Sequence, residues 1–293
     1  MVTVVIGANG FVGGYLVKEL ESAGHKVTAV DIPEINLLDR ASIDSLLGQA
    51  KPDYVVNLAA ISSVGASWKD PVSTIQVNVV GTLNLLDSIV SHVPHAKTLL
   101  IGSAEEYAVP TGEKPLQEND PLEASNPYGI SKIAQENFAE LYRKKYGMEI
   151  VCTRSFNHTG VGQKTTFALP SFVKQVADIE KSGQPGVIKV GNLSAWRDFS
   201  DVRDVVHVYR MLLENKNEYS TYNVGSGITH KVGDLLNTII GFASVKIEAI
   251  QDPEKMRPVD IPYQCCDNSR IVKCGYWNGT RIESTLKWMF DNQ

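Results

Sequence analysis

Residues 2–20, "VTVVIGANGFVGGYLVKEL", decide the fold. An apolar run at 2–6 predicts a buried strand, and apolar residues recur at helical spacing over 11–23. Between them, "GANGFVG" places glycines at 7, 10 and 13. Glycine is needed where the backbone turns sharply and where a phosphate must approach a helix amino terminus closely. The stretch therefore predicts a dinucleotide-binding turn, with a tight turn that holds no ligand as the alternative.

The alternation of predicted strands and helices continues along the chain. Further strands are predicted at 26–30, 54–58, 98–101 and 149–153, and further helices at 41–49, 71–92 and 127–146. Beyond residue 155 the alternation is less regular. Helices are predicted at 168–182, 201–214, 231–241 and 280–290, and short strands near 187–190 and 245–249. We expect an α/β fold: a Rossmann-type doubly wound parallel sheet with a smaller α/β carboxyl-terminal lid.

Two units are predicted within this fold. Residues 1–154 form the dinucleotide-binding domain, and residues 196–220 return to it. Residues 155–195 and 221–293 form the lid, which should bind substrate at the carboxyl edge of the sheet, where open α/β sheets bind ligands.

The composition excludes several classes of protein. The chain has 293 residues, 43% of them hydrophobic, and a net charge of −5. It has no long basic run, so nucleic-acid binding is not expected, and no stretch approaches the 18 apolar residues of a membrane span. Four cysteines form no Cys-x-x-Cys pair, and the histidines lack ligand spacing. We therefore expect no disulfides, no metal site and a cytoplasmic setting.

Asp31, at the end of the second predicted strand, bears on the choice of cofactor. Its carboxylate is placed to accept hydrogen bonds from a ribose diol, and it would repel a 2′-phosphate. No arginine follows before Arg40. The sequence therefore favours NAD(H), with NADP(H) possible.

"SNPYGISK", residues 125–132, places Tyr128 and Lys132 four residues apart. Asn126 and Pro127 open the predicted helix, so the two side chains share one face. Lowering the pKa of a phenol from 10 to near 7 requires ~4 kcal/mol, much of which a neighbouring ammonium can supply. The pair therefore predicts an acid–base tyrosine; the alternative is a buried tyrosine and a surface lysine with coincidental spacing.

"IGSAEEYAV", residues 101–109, places Ser103 beside Glu105 and Glu106 at the end of the fourth strand. A hydroxyl there can hydrogen-bond a carbonyl, and a carboxylate can abstract a proton. The alternative is a loop that only shapes the pocket, which we favour for Glu106.

These motifs carry a resemblance to a known superfamily. "GANGFVG", "NLAA", a strand-ending serine and Tyr-x-x-x-Lys resemble the extended short-chain dehydrogenases/reductases, which act on nucleotide-activated sugars. "SSVGASWKDP", "SFNHTGVGQ", "VGNLSAWRDFSDVRDVV" and "EKMRPVDIP" resemble the branch of GDP-mannose 4,6-dehydratases and GDP-4-keto-6-deoxymannose reductases. The chain departs from the pattern at Ser155 and Val161, where prolines are usual; both should alter loop stiffness more than chemistry.

The resemblance implies catalytic roles for Ser103, Tyr128, Lys132 and Glu105. In the dehydratases a glutamate at the position of Glu105 removes the C5 proton of the sugar. The glucose-type dehydratases have an aspartate where this chain has Ala104. The glycine loop, Asp31 and the short chain resemble the reductases more closely.

The resemblance and the motifs together predict two sets of binding residues. Cofactor contacts are expected from Gly7, Asn9, Gly10, Phe11, Val12, Gly13, Asp31, Leu38, Asp39, Leu58, Ala59, Ala60, Asn78, Tyr128, Lys132, Phe156 and His158. Substrate contacts are expected from Asn157, Lys174, Gly191, Asn192, Arg197 and Arg257. The two arginines are the candidates for the diphosphate, because guanidinium binds phosphate oxygens in pairs; structural salt bridges to nearby aspartates are the alternative.

The function implied is reduction of the C4 ketone of a GDP-4-keto-6-deoxyhexose by hydride transfer from NAD(P)H. The product would be GDP-D-rhamnose or its C4 epimer. A 4,6-dehydratase or 4-epimerase of the same superfamily and a non-catalytic dinucleotide sensor stay open as alternatives. By resemblance, helices at 71–92 and 127–146 pair two subunits into a homodimer.

Overall fold

The computed structural model describes residues 1–256 and 261–293. Its strands are β1 Val2–Ile6, β2 Lys26–Val30, β3 Tyr54–Asn57, β4 Lys97–Ser103, β5 Ile150–Ser155, β6 Asn157–Thr159, β7 Gly186–Val190, β8 Trp196–Asp201, β9 Thr221–Val224, β10 Thr229–Lys231, β11 Ile247–Gln251 and β12 Tyr263–Gln264. Its helices are α1 Phe11–Ser22, α2 Arg40–Ala50, α3 Val64–Lys69, α4 Pro71–Ile75, α5 Gly81–His92, α6 Pro127–Tyr146, α7 Ala168–Ser182, α8 Val202–Glu214, α9 Val232–Ile240, α10 Ser269–Lys273 and α11 Ile282–Asp291. A π turn, Gln76–Val80, joins α4 to α5.

The central sheet is parallel, with the strand order β2-β1-β3-β4-β5-β9. Side chains alternate between its faces: Val4 and Ile6 pack toward α2 and α5, whereas Val5 packs toward α1 and α8. Both faces are therefore buried, and the doubly wound α/β prediction is confirmed. The strand order reverses between β1 and β3, which opens a crevice at their carboxyl ends.

The carboxyl-terminal part forms a second layer. β10, β8 and β12 make a small sheet to which β6 adds along β8, and β11 pairs with β7. Helices α7, α9 and α11 bury a separate core that includes Phe172, Val176, Leu236 and Leu286. The helices of this region lie where the sequence predicted them, but the sheet built around β8 was not predicted.

Two segments cross the predicted division of the chain. β9, which the sequence grouped with the lid, pairs with β5 in the central sheet. β8, which was grouped with residues returning to the first unit, is the centre of the lid's sheet, while α8 packs on the central sheet as expected. The division into two units otherwise stays a prediction.

Within residues 1–256 and 261–293, no helix combines the length and apolarity needed to cross a bilayer. In the same residues, no three His, Cys, Asp or Glu side chains are gathered as a metal site. The four cysteines are unpaired thiols, and three of them are buried.

Candidate active site

The glycine loop packs directly against the end of β3. Gly7 has a φ of +84°, and a Cβ on it would lie 2.7 Å from the amide nitrogen of Ala59. A Cβ on Gly13 would lie 2.3 Å from the carbonyl oxygen of Gly7. Gly10 precedes α1 and provides no side-chain cap, so the first amides of the helix remain available to a phosphate. The loop therefore fits the diphosphate of a dinucleotide.

Asp31 ties this loop to the end of β2. Its carboxylate accepts hydrogen bonds from the amides of Asn9, at 3.0 Å, and Ile32, at 2.8 Å. Each carboxylate oxygen keeps a further lone pair, so a ribose diol can still be bound. Arg40 is engaged elsewhere: its guanidinium lies 3.0 Å from Asp87 and 3.7 Å from Asp44.

Other predicted cofactor residues lie along the same edge, and some also have structural roles. Leu58, Ala59 and Ala60 follow β3, and Val12 and Phe11 begin α1. Leu38 is exposed, whereas Asp39 caps α2 through the amide of Ala41, at 3.1 Å. Asn78 is buried in the π turn, and its amide bonds the backbone of Ile61 and the hydroxyl of Ser131. Asn78 thus holds α6 against the loop that follows β3.

Ser103, Tyr128 and Lys132 are brought together. Ser103 ends β4, Tyr128 lies in the first turn of α6, and each of the three side chains is less than a tenth exposed. The Ser103 side chain neighbours the Tyr128 phenol and acts to lower its pKa. The ammonium of Lys132 lies 5.9 Å from the centroid of the tyrosine ring and donates to the carbonyl of Ile101 at 2.6 Å. The predicted set therefore forms one site.

Burial dominates the electrostatics of this set. It raises the pKa of Tyr128 well above its ordinary value, and the neighbouring Ser103 hydroxyl opposes that shift. Burial also lowers the pKa of Lys132 to about 8, against the influence of the Glu106 carboxyl. The phenol is accordingly protonated at neutral pH and is suited to donate a proton.

The two glutamates after Ser103 point to different partners. Glu105 accepts a hydrogen bond from the amide of Asn126 at 2.8 Å, and the Asn126 carbonyl oxygen caps α6 through the amide of Gly129 at 2.9 Å. Glu106 has no exposed surface, and its Oε1 accepts the backbone N–H of Ser103 at 2.7 Å. Sequence reasoning missed both anchoring bonds, although the helix-capping asparagine was visible in the sequence.

The segment after β5 reaches the glycine loop. The ring of His158 stacks on Phe11 with 6.3 Å between centroids and 9° between planes, and its Nδ1 lies 3.0 Å from the carbonyl of Phe156. Burial lowers the pKa of His158, so the ring is neutral at pH 7. Asn157 is exposed beside it. The segment after β5 therefore packs against the first residue of α1.

Arg197 lies one strand from the turn Ala104–Glu106, which follows Ser103. It pairs in register with Gln264 of β12, and the Gln264 amide donates to the carbonyl of Ala104 at 3.2 Å. Gly191 and Asn192 line a separate cleft of about 390 Å³. The ammonium of Lys174 is exposed on α7 and is paired with Asp178. Arg257 lies outside the described residues.

A parallel doubly wound sheet, a glycine loop at its switch point and a buried Ser–Tyr–Lys set define a dinucleotide-dependent α/β enzyme. The model of the NAD dependent epimerase/dehydratase family matches residues 3–225. The chain belongs to this family. The predicted superfamily and the expectation of an NAD(P)-dependent enzyme are therefore confirmed.

Two curated relatives are similar over most of their length. GDP-6-deoxy-D-mannose reductase from Pseudomonas aeruginosa is 34% identical over 255 residues, covering 86% of this chain and 84% of that protein. GDP-6-deoxy-D-talose 4-dehydrogenase from Aggregatibacter actinomycetemcomitans is 30% identical over 298 residues, covering 100% of this chain and 98% of that protein.

Solved structures show the same fold. RMD from Pseudomonas aeruginosa complexed with NADPH superposes with a TM-score of 0.90 at 30% identity, over 99% of this chain and 98% of that one. UDP-glucose 4-epimerase from Thermus thermophilus, complexed with NAD, superposes with a TM-score of 0.85 at 23% identity, over 100% and 98%.

Proposed function

We propose that the protein is a nucleotide-sugar oxidoreductase that reduces the C4 ketone of a GDP-4-keto-6-deoxyhexose, giving GDP-D-rhamnose from the manno sugar. The observation that carries this is the buried Tyr128 phenol, which is protonated at neutral pH and lies beside Lys132 on the same face of α6. Both curated relatives named above are, by their names, oxidoreductases of GDP-6-deoxyhexoses. These names support GDP-6-deoxyhexoses as the class of substrate.

The roles of the residues follow from their positions. The nicotinamide, when bound, supplies the hydride. The Ser103 hydroxyl hydrogen-bonds the ketone oxygen, and Tyr128 gives its proton to that oxygen as negative charge develops. Lys132 stabilises the phenolate left behind. Arg197, in β8 near the turn Ala104–Glu106, binds the diphosphate. Arg257, which lies outside the described residues, is the second candidate from the sequence alone.

The contact made by Glu105 gives it a structural role in the proposed reduction. A dehydratase would instead use this carboxylate to remove the C5 proton of the sugar. Here the Glu105 carboxylate is held by the side-chain amide of Asn126, which caps the catalytic helix. In the reductase this glutamate supports α6 and takes no proton.

The deciding experiment is an assay of two substrates with the purified protein. GDP-mannose should stay unchanged, whereas GDP-4-keto-6-deoxymannose should oxidise NAD(P)H one for one. A dehydratase or an epimerase returns its hydride and consumes no reduced cofactor. Conversion of GDP-mannose to the 4-keto sugar without net cofactor use, abolished by Glu105→Gln, would replace this proposal with dehydration. Proton NMR of the product then gives the configuration at C4.

Tyr128→Phe tests the proton donor. Loss of a general acid should lower kcat by about 10²-fold or more, with KM little changed. Tyr142→Phe is the matched control, because it removes a phenol from the same helix that is bonded to Asp87. Full activity of Tyr128→Phe would refute the assignment of Tyr128 as the proton donor, whereas absence of turnover by the wild type would leave the non-catalytic sensor standing.

We propose that NAD(H) is the favoured cofactor. The proposal is supported by Asp31, which follows β2 and bonds the glycine loop, and by the pairing of the Arg40 guanidinium with Asp87. NADH should therefore give the higher kcat/KM, and Asp31→Ala combined with Ile32→Arg should narrow or reverse the ratio. A wild-type preference for NADPH of about tenfold, or 1.4 kcal/mol, would contradict this reading.

We also propose a homodimer paired through α6 and the helices before it. Ile130 and Leu141 are 53% and 58% exposed on α6, and their spacing of eleven residues places them on one helix face. Light scattering after gel filtration should show a dimer at micromolar concentration, and Leu141→Glu should yield a monomer. A monomeric wild type would refute the pairing.

A further inference from the structure

Gln135 is a buried amide to which the proposed reaction gives no role. It lies in α6 three residues after Lys132, so the two side chains share one face of the helix. Gln135 is 3% exposed, and its Oε1 lies 3.2 Å from the Nζ of Lys132. Its Nε2 donates to the carbonyl of Ile101, in β4, at 3.2 Å. The amide therefore contacts both the catalytic lysine and the strand behind it.

The carbonyl of Ile101 also accepts a hydrogen bond from the Lys132 ammonium, at 2.6 Å. The lysine, the glutamine and this carbonyl thus form a closed set of hydrogen bonds. An ammonium has three N–H groups to donate. Within the described residues, two of them have an oxygen partner, one on Ile101 and one on Gln135. The third remains available to a bound cofactor.

The surroundings of Gln135 fix which end of the amide meets the lysine. The hydroxyl of Thr82, in α5, lies 3.5 Å from the Gln135 Oε1 and donates to the carbonyl of Asn78 at 2.8 Å. These neighbours from α5 and the π turn are uncharged. A half turn of the amide would place its NH2 group against the ammonium, where two donors face each other. The oxygen is therefore held toward Lys132.

The burial of Lys132 makes an oxygen acceptor important to its charge. Burial lowers the pKa of this lysine to about 8. The titratable groups that face it are Tyr128 on its own helix, Glu106 on the turn after β4 and Cys152 on β5. Burial raises the pKa of Glu106 to about 8 and that of Cys152 to about 12, so neither is a full anion at neutral pH. The ammonium therefore depends on neutral oxygen acceptors to offset its loss of water.

We propose that Gln135 is a positioning residue of the active site, whose amide oxygen holds the Lys132 ammonium against β4 and stabilises it in the protonated form. This rests on the proposed function, in which the ammonium stabilises the phenolate of Tyr128. Gln135 is buried and acts through the lysine. Because a hydrogen bond to the ammonium favours the charged form, its loss lets the lysine give up its proton at lower pH.

Two substitutions of Gln135 should shift the pH profile in opposite directions. Gln135→Met removes the acceptor and keeps the length of the side chain, so the alkaline limb of the kcat–pH profile should move down by about one pH unit. Gln135→Glu keeps the oxygen that faces Lys132 and makes it a carboxylate, so the same limb should move up. Gln49→Met is the matched control, because the Gln49 amide donates to Ser45 on the exposed side of α2 at 2.8 Å. Its profile should match the wild type.

A Gln135→Met profile that superimposes on that of the wild type would overturn the proposal, whatever the change in kcat. A downward shift in Gln135→Glu would also overturn it, because general damage to the site would then explain both variants. If circular dichroism shows that Gln135→Met does not fold, the upward shift of Gln135→Glu decides, and its absence is equally fatal. Failure of the proposed function would instead show in the wild type, as absence of turnover of the 4-keto sugar.

Discussion

Replacing Asn126 with alanine should destabilise the protein by about 2 kcal/mol. Loss of an N-cap costs about 1 kcal/mol, and here the bond to the Gly129 amide is lost at the first turn of α6. Asn126 also donates to the Glu105 carboxylate at 2.8 Å. A hydrogen bond to a charged group contributes about 1.5 kcal/mol, which we discount to about 1 because Glu105 is half-buried and water can replace the amide.

Thermal and urea denaturation monitored by circular dichroism measures this loss, which corresponds to a fall in Tm of about 5 °C for a chain of this size. Asn126→Ser separates the two contributions, because serine keeps the capping oxygen but is too short to reach Glu105. It should lose about half as much stability. If Asn126→Ala is within 0.5 kcal/mol of the wild type, the cap does not hold α6 as we describe.

Two further predictions use features of the loop and of α8. Gly13→Ala should weaken cofactor binding at least tenfold in a fluorescence titration, because its Cβ would lie 2.3 Å from the carbonyl of Gly7; Gly14→Ala, with no atom within 4 Å of the new Cβ, should bind normally. Equal binding by both variants would refute the reading of the loop. Burial alone would raise the pKa of Asp201, but hydrogen bonds led by that from Arg203 outweigh it and lower the pKa. Asp201→Asn should therefore cost about 2 kcal/mol at pH 7, and the deficit should shrink as the pH falls below about 4, because the stabilisation by the ionised aspartate is lost as it protonates. A deficit independent of pH in urea titrations would contradict this.

Local signals explain the elements that the sequence predicted well. Helix α6 was predicted at 127–146 and spans Pro127–Tyr146, because Asn126 and Pro127 mark its start and Gly147, with a φ of 68°, marks its end. Ser103, Tyr128 and Lys132 were found for a similar reason, since strand ends and helical spacing bring them to one edge of the sheet. The glycine loop was predicted for the same reason, because its three glycines lie close together in the sequence.

The features that escaped prediction depend on partners far apart in the chain. The sheet around β8 joins strands beginning at residues 157, 196, 229 and 263, and the three that pair with β8 have only two or three residues, too few for a clear alternating pattern. Glu106 was expected to shape a loop; that it is fully buried between Ser103 and Arg154 follows from how β5 and α6 close over it. That packing cannot be predicted from the residues next to Glu106 in the sequence.

The position of β9 at the edge of the central sheet constrains how the chain can be divided. A fragment ending at residue 220 would leave the hydrogen-bonding edge of β5 open, and such an edge is a template for association with other chains. The central sheet is completed only when Val224 has left the ribosome, after all of residues 155–195 have been made. The two layers therefore depend on each other for folding, and cutting the chain between them should yield aggregating fragments rather than two autonomous domains.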